Sequence, residues 1–365
     1  MKKWIFFIFC IFVYTFCSSA QQRLTAIPSE ELEIMEKARQ EHKLDIVGTF
    51  NDGMAIVGKD GKFGFIDMEG NMVFPIQYRR VMPFIEGMSV NRETEYLLDK
   101  QGNNAVSTSG YLGIGNISEG RIRVMDYSNQ YGFIDLEGDL VIPSEYYKAE
   151  PFSDGLALVA TGKYPDLKYG YIDKDGKVVI PMEYQCGGSF SDGVAWVQKG
   201  KEWGLIDKTG QFVVPLGKFS PASYKAPKYP ISVKEGLIGV SKGSKSGFID
   251  KTGKIIIPIQ FDKVKSFSEG LAPVFKNGKY GYIDKKGQLV IPYKYEFAAD
   301  FVDGLAWVGK TYDYVGRIDK NGNVVDDFVF SRYENTLEGG GIFKVWTKDG
   351  IGFIDMSGHI MLEKR

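Results

Sequence analysis

The chain has 365 residues, 44% of them hydrophobic and 25% charged, with a formal net charge of −1. That composition suits a folded chain with a core and excludes a disordered or collagen-like one. No basic block appears, which excludes an electrostatic partnership with nucleic acid.

Residues 1–20 read as a separate object. Lys2 and Lys3 precede an apolar run from Trp4 to Phe16, and Ser18-Ser19-Ala20 supplies small residues before Gln21. This is the pattern of a secretory signal peptide cleaved between Ala20 and Gln21, and the run is short for a membrane span. Lipidation at Cys17 is the alternative, which bulky Phe16 opposes. The expected location is periplasmic, outer-surface or secreted, and no transmembrane segment is expected in the mature chain. Cys10 and Cys17 leave with the leader, so Cys186 alone remains and no internal disulfide can form. Spacing does not decide whether Cys186 is exposed.

Residues 21–44 form a leader and a capping helix. Pro28-Ser29-Glu30-Glu31 predicts a helix over about 30–42, with Ser29 as its cap and the two glutamates at its positive end. Leu32, Met35 and Ala38 share one face. The helix is expected to act as a lid over the first repeat.

From residue 45 to 365 the chain repeats itself. The stretch Tyr280-Gly281-Tyr282-Ile283-Asp284-Lys285-Lys286-Gly287-Gln288-Leu289-Val290-Ile291-Pro292 returns as 63–75, 131–143, 169–181, 203–215 and 246–258. Weaker copies at 95–107, 315–327 and 351–363 bring the total to nine. Each follows a second signal, an acidic residue and glycine, as in Phe267-Ser268-Glu269-Gly270-Leu271-Ala272-Pro273-Val274. Such periodicity means a stacked array.

Three strands are predicted in each unit: 271–275, 279–284 and 288–292 in the clearest copy. Asp-x-x-Gly between the second and third strands has turn chemistry, the Asp bonding backbone and the Gly taking a left-handed conformation. The Pro that ends the third strand removes a donor, so pairing should stop or run along an edge. The Gly of Tyr-Gly-Tyr predicts a backbone or ring packed against it. Counting from the acidic-Gly glycine, positions +2 and +4 are mainly Ala and Val and should point inward. Position +3 varies from Ile56 through Arg123, Trp196, Gly239, Pro273 and Trp307 to Lys344, and is expected to be wet. The Pro-rich insertion at 216–232 is the expected joint.

Gly193 to Val197 followed by Trp203-Gly204-Leu205-Ile206-Asp207-Lys208-Thr209-Gly210 resembles the WG repeat family of bacteria most fully. The resemblance covers residues 45–365. It implies a β-rich binding or scaffold module, often exported, with no shared catalytic residue. The fold class expected is all-β: about nine three-stranded antiparallel meanders in a curved, propeller-like array, with one short N-terminal helix. An open superhelical β ribbon is the alternative. Because residues 45–50 align with the tail of a unit and 359–362 with a third strand, the two ends are expected to complete one repeat between them.

Chemistry is sparse. Only His42 and His359 occur, and no metal, nucleophile or phosphate-loop motif is present. The nine Asp residues invite calcium, but a calcium loop needs ligands where most copies carry Lys or Met. No catalytic residue, metal or cofactor is expected, and an enzyme such as a glycosidase is the least favoured class. The expected function is a protein-interaction scaffold in the cell envelope. The alternative is a polysaccharide binder using Trp196 and Trp307, whose indoles at the variable position could stack on sugars. The competing reading packs both indoles against the adjacent repeat.

Overall fold

Each repeat closes its own small antiparallel sheet, because its strands are short and joined by tight turns. The computed structural model describes residues 27–90, 96–222, 233–311, 314–334 and 340–362. Residues 1–26, with the expected cleavage at Ala20 and Gln21, lie outside them. The architecture is nearly all-β, built like a β-propeller: among the described residues it has nine sheets, seven of four strands and two of three. The three predicted strands are present in every unit but the eighth, where the third is reduced to the isolated bridge of Val324 with Ile318. The added strand runs six residues at Ile46–Asn51 and Gly113–Ser118, but elsewhere it is short, as in Lys263–Val264 pairing with Leu271–Lys276. At two residues it gives no readable alternation, so the sequence did not announce it.

The chain divides into two compact units, residues 84–294 forming one, and residues up to 83 with those from 295 forming the other. Within the joint expected at 216–232, Ser220–Pro221 pairs with Ser241 and Val240, and Phe219 and Ala222 are buried. Residues 223–232 lie outside the described residues.

In the unit holding both termini, the first and last sheets pack side by side. Thr49 N–H donates to the Gly340 carbonyl at 3.1 Å, Val47 N–H donates to the buried Asp355 carboxylate at 3.2 Å, and Phe63 meets Phe353 edge-on at 5.0 Å. An open ribbon would hold the two ends apart. They do not share one sheet, however. Ile46–Asn51 pairs with Met54–Lys59, and Ile360–Leu362 with Gly350–Asp355, because each sheet begins at the strand before its acidic-Gly turn.

Helix α1 spans Ser29–Glu41. Ser29 is its first residue, not its cap; Pro28 holds the cap position, with no side-chain bond there. Met35 and Ala38 are buried, Leu32 packs on the same cluster, and Ile34 and Ala38 lie against Gly70 in the first repeat. The helix therefore covers that repeat as a lid.

The Asp-x-x-Gly turns need no ion. In eight copies the Asp Oδ1 accepts the N–H groups two and four residues on, as Asp284 does from Lys286 at 2.9 Å and Gln288 at 2.8 Å. The ninth, Asp355, accepts from His359. Each turn ends on a glycine with positive φ, 79° at Gly287. That glycine packs against the preceding repeat, Gly287 on Ile257 and Gly210 on Ile180. The Pro runs along an edge, as one predicted outcome had it. The third strand continues through it in a bulge, so that Phe248 to Ser246 spans the same length as Ile257 to Phe261. The bulge pushes a carbonyl at the Gly of Tyr-Gly-Tyr: a Cβ on Gly281 would lie 2.6 Å from the Ile291 oxygen. Only glycine fits there.

Positions +2 and +4 point inward, as Ala272 and Val274, both fully buried, illustrate. Position +3 is not wet. Ile56, Leu158, Trp196, Pro273 and Trp307 are buried there, while Arg123 is half-buried and bonds the Ala149 carbonyl at 2.6 Å. The position varies because it faces the gap between neighbouring repeats, and each gap has its own shape. Long cations fit by burying their stems.

The acidic-Gly turn joins one repeat to the next. The acidic residue takes a positive φ, 56° at Glu235, and its carboxylate accepts the N–H of the following repeat's glycine. In residues 84–294 this bond recurs from Glu86 to Gly120 (2.6 Å), Glu119 to Gly155 (2.9 Å), Asp154 to Gly193 (2.6 Å), Asp192 to Gly236 (2.9 Å) and Glu235 to Gly270 (3.1 Å). Serine hydroxyls reinforce it, Ser153 donating to the Phe190 carbonyl and Ser191 to that of Val233.

Burial opposes ionisation of Glu235, but Lys285 at 2.9 Å and the Gly270 N–H outweigh it and hold its carboxyl below the usual range. Asp207 and Asp250 are lowered chiefly by the hydroxyls of Thr209 and Thr252, which donate to them at 2.6 Å. Folded pKa values below unfolded ones give stability that is present above about pH 4 and lost as pH falls through the folded values. Thermal melts should be flat from neutrality to about pH 5 and drop below about pH 4. A Thr209→Val/Thr252→Val variant should show a shallower drop. Melting that rises on acidification would contradict the assignment.

Candidate interaction surface

In every repeat but the eighth the third strand is paired on one side only, because it is the last in its sheet. In residues 84–294 five successive repeats carry apolar side chains at the start of this edge strand: Leu140, Val178-Val179, Phe212, Ile255-Ile256 and Leu289-Val290. All are exposed, Ile255 by 48% and Ile256 by 41%. The next residue turns inward, as Ile257 and Ile291 do at 0%. The pattern exposed, exposed, buried, exposed recurs in Val178–Tyr184, Ile255–Phe261 and Leu289–Tyr295. Two consecutive exposed residues mean that neither face of the strand is covered at that end. The bulge and the Pro blunt the free ladder edge, so the strip offers side chains and not main chain.

The first repeat differs. Its equivalent residues Met72 and Val73 are half-buried, and Met72 packs on the cluster that contains Met35 and Ala38 of α1. On the first repeat the apolar stripe of a short helix packs beside the turn that leads into this strand, with Ile34 and Ala38 against Gly70.

The two candidate ligand residues have different surroundings. Trp307, 3% exposed, stacks on Tyr333 at 4.6 Å and 6°, with Phe330 and Phe343 edge-on at 5.6 and 5.8 Å. That indole is enclosed by neighbouring aromatic rings. Trp196, 2% exposed, forms part of the wall of a cleft in residues 84–294. Neither indole offers a face to solvent, against the expectation for a wet position. Cys186 is half-buried and lines the same cleft.

The described residues hold no group of three or more His, Cys, Asp or Glu disposed to bind a metal ion. The two histidines serve locally: His42 Nε2 lies 3.0 Å from the Gly70 carbonyl, and His359 Nδ1 lies 3.2 Å from Asp355. No described helix is long and apolar enough to cross a membrane.

Sequence reasoning missed the exposed strip. Its signal was present in Val-Val-Ile-Pro, Ile-Ile-Ile-Pro and Leu-Val-Ile-Pro, which read as core strands until the pairing shows them to be edges. The carboxylate bonds between repeats were also missed, because their acceptor and donor lie 34 to 44 residues apart.

No curated protein matches this chain. Among solved structures it is similar to BamB from Moraxella catarrhalis, at 11% identity and a TM-score of 0.40, covering 85% of this chain and 96% of that one. It is also similar to the WD40 β-propeller domain of Doa1, at 11% identity and a TM-score of 0.33, covering 66% and 90%. Residues 41–63, 63–93, 131–164, 169–203, 203–220, 247–280 and 280–314 match the family model described as WG containing repeat. These stretches span more than half of the sequence, and the chain belongs to the WG repeat family.

Proposed function

We propose that the chain is an exported, non-catalytic scaffold that binds partner proteins through the exposed apolar ends of its edge strands. The observation that carries this reading is the register: one strand position is exposed and apolar in five successive repeats. Scattered surface apolar residues are ordinary, but a repeated row of them marks an interaction site. Stacked repeats present such rows at regular spacing. The partner chemistry follows from α1, whose apolar stripe packs on the first repeat beside the turn that leads into the equivalent strand. An amphipathic helix in the partner is the matching occupant. Export rests on the Lys2-Lys3, apolar and Ser-Ser-Ala pattern of residues 1–20.

A photo-crosslinking residue placed at Ile256 or Val290 tests the surface in the producing cell. The same partner adduct should form from both sites, and not from exposed turn positions Lys208 and Lys286. Adducts from the turns alone would overturn the reading.

A further inference from the structure

A cleft of about 820 Å³ opens between the fourth and fifth repeats, in residues 84–294, within the size range of small-ligand sites. Its lining carries one cation, Lys148, and one anion, Glu150, and is otherwise uncharged. The polar part comes from amides and hydroxyls. Gln185 accepts the Gly200 N–H through its carbonyl at 2.8 Å, which leaves its amide NH₂ to donate. Gln198 stands on the next strand, paired with Cys186.

The apolar part is aromatic. Tyr164 stands at the rim, 74% exposed, Tyr169 is half-buried, and Trp196 closes the wall. Gly187 and Gly188 bring main chain to this surface. A Cβ on Gly187 would lie 2.9 Å from a Leu158 methyl, so a side chain there would have to push that methyl aside.

We propose that this cleft binds an uncharged, hydroxyl-rich ligand with an apolar ring face, a short neutral glycan. A charged ligand would meet no net charge to recognise it. An extended peptide would need a ladder edge of several residues, and the strand here, Cys186–Gly187, has two. The tyrosine rings supply the stacking surface, and the Gln185 amide reads hydroxyls. The site is independent of the edge-strand surface and stands or falls separately from it.

Saturation-transfer NMR and calorimetry on the whole chain, with cellotetraose, chitotetraose and maltotetraose as probes, test the assignment. At least one probe should bind with a Kd of about 1 mM or tighter and receive saturation from the protein's aromatic protons. Tyr164→Ala should weaken that binding about tenfold, a loss of about 1.4 kcal/mol, with melting unchanged. Trp307→Phe, at an indole outside the cleft, should leave it unchanged. No binding by any probe, or binding indifferent to Tyr164→Ala, overturns the proposal. So does a neutral tetrapeptide that displaces the sugar.

Discussion

Asp326→Ala should lower the unfolding free energy by about 3–5 kcal/mol, the largest effect expected of a single substitution here. In most repeats the aromatic after the Tyr-Gly glycine faces an aliphatic residue on the third strand, as Tyr171 faces Ile180 and Phe248 faces Ile257. The eighth repeat puts Arg317 and Asp326 in these two places. The guanidinium is 1% exposed, bonds the Asp326 carboxylate through Nε, and donates to the Asp355 carbonyl at 3.0 Å. Its carbon centre lies 5.5 Å from the Trp307 ring. Removing the carboxylate leaves a buried cation without its counter-charge, which is far costlier than losing a surface pair. The pair itself need not be stabilising. Arg317→Tyr/Asp326→Ile, which copies Tyr282 and Ile291 of the seventh repeat, should restore wild-type stability or exceed it by about 1–4 kcal/mol. Urea midpoints read both variants. A cost below about 1 kcal/mol for Asp326→Ala would show that water reaches the site.

Trp307→Ala comes next, at about 3–5 kcal/mol, the range for emptying a large aromatic site. The indole fills the space enclosed by Phe330, Tyr333 and Phe343, and Arg317 lies over it. Because Trp307 and Arg317 touch, the two predicted losses should not add. Any binding activity lost with Trp307→Ala should be lost through unfolding and recovered in Trp307→Phe. An intact urea midpoint for Trp307→Ala would contradict the enclosure.

The turn chemistry was the most legible part of the fold. Asp284 and Gly287 are local: a carboxylate reaches N–H groups two and four residues on, and a glycine takes a positive φ. Gly281 was legible as a close approach, though not its cause, a carbonyl thrust out by the bulge around Pro292. Position +3 misled. Tolerance of Arg, Gly and Trp looked like solvent, but the residue opposite it belongs to another repeat, so shape varies while burial stays. Arg317 and Asp326 were the matching case, two substitutions 9 residues apart that make sense only as a pair. The docking strip was hidden because exposure of Ile255 and Ile256 depends on a strand's place in its sheet, which hydropathy does not report.

The measurement that bears most directly on the scaffold is the affinity of the crosslinked partner for the purified chain and for Ile256→Lys/Val290→Lys. Both positions are exposed, so thermal melting should be unchanged. Binding should weaken about 100-fold or more, equivalent to about 2.7 kcal/mol, the scale of lost apolar anchors in an interface. An unchanged Kd with the fold intact would place the partner elsewhere and contradict the edge-strand surface as the site of function.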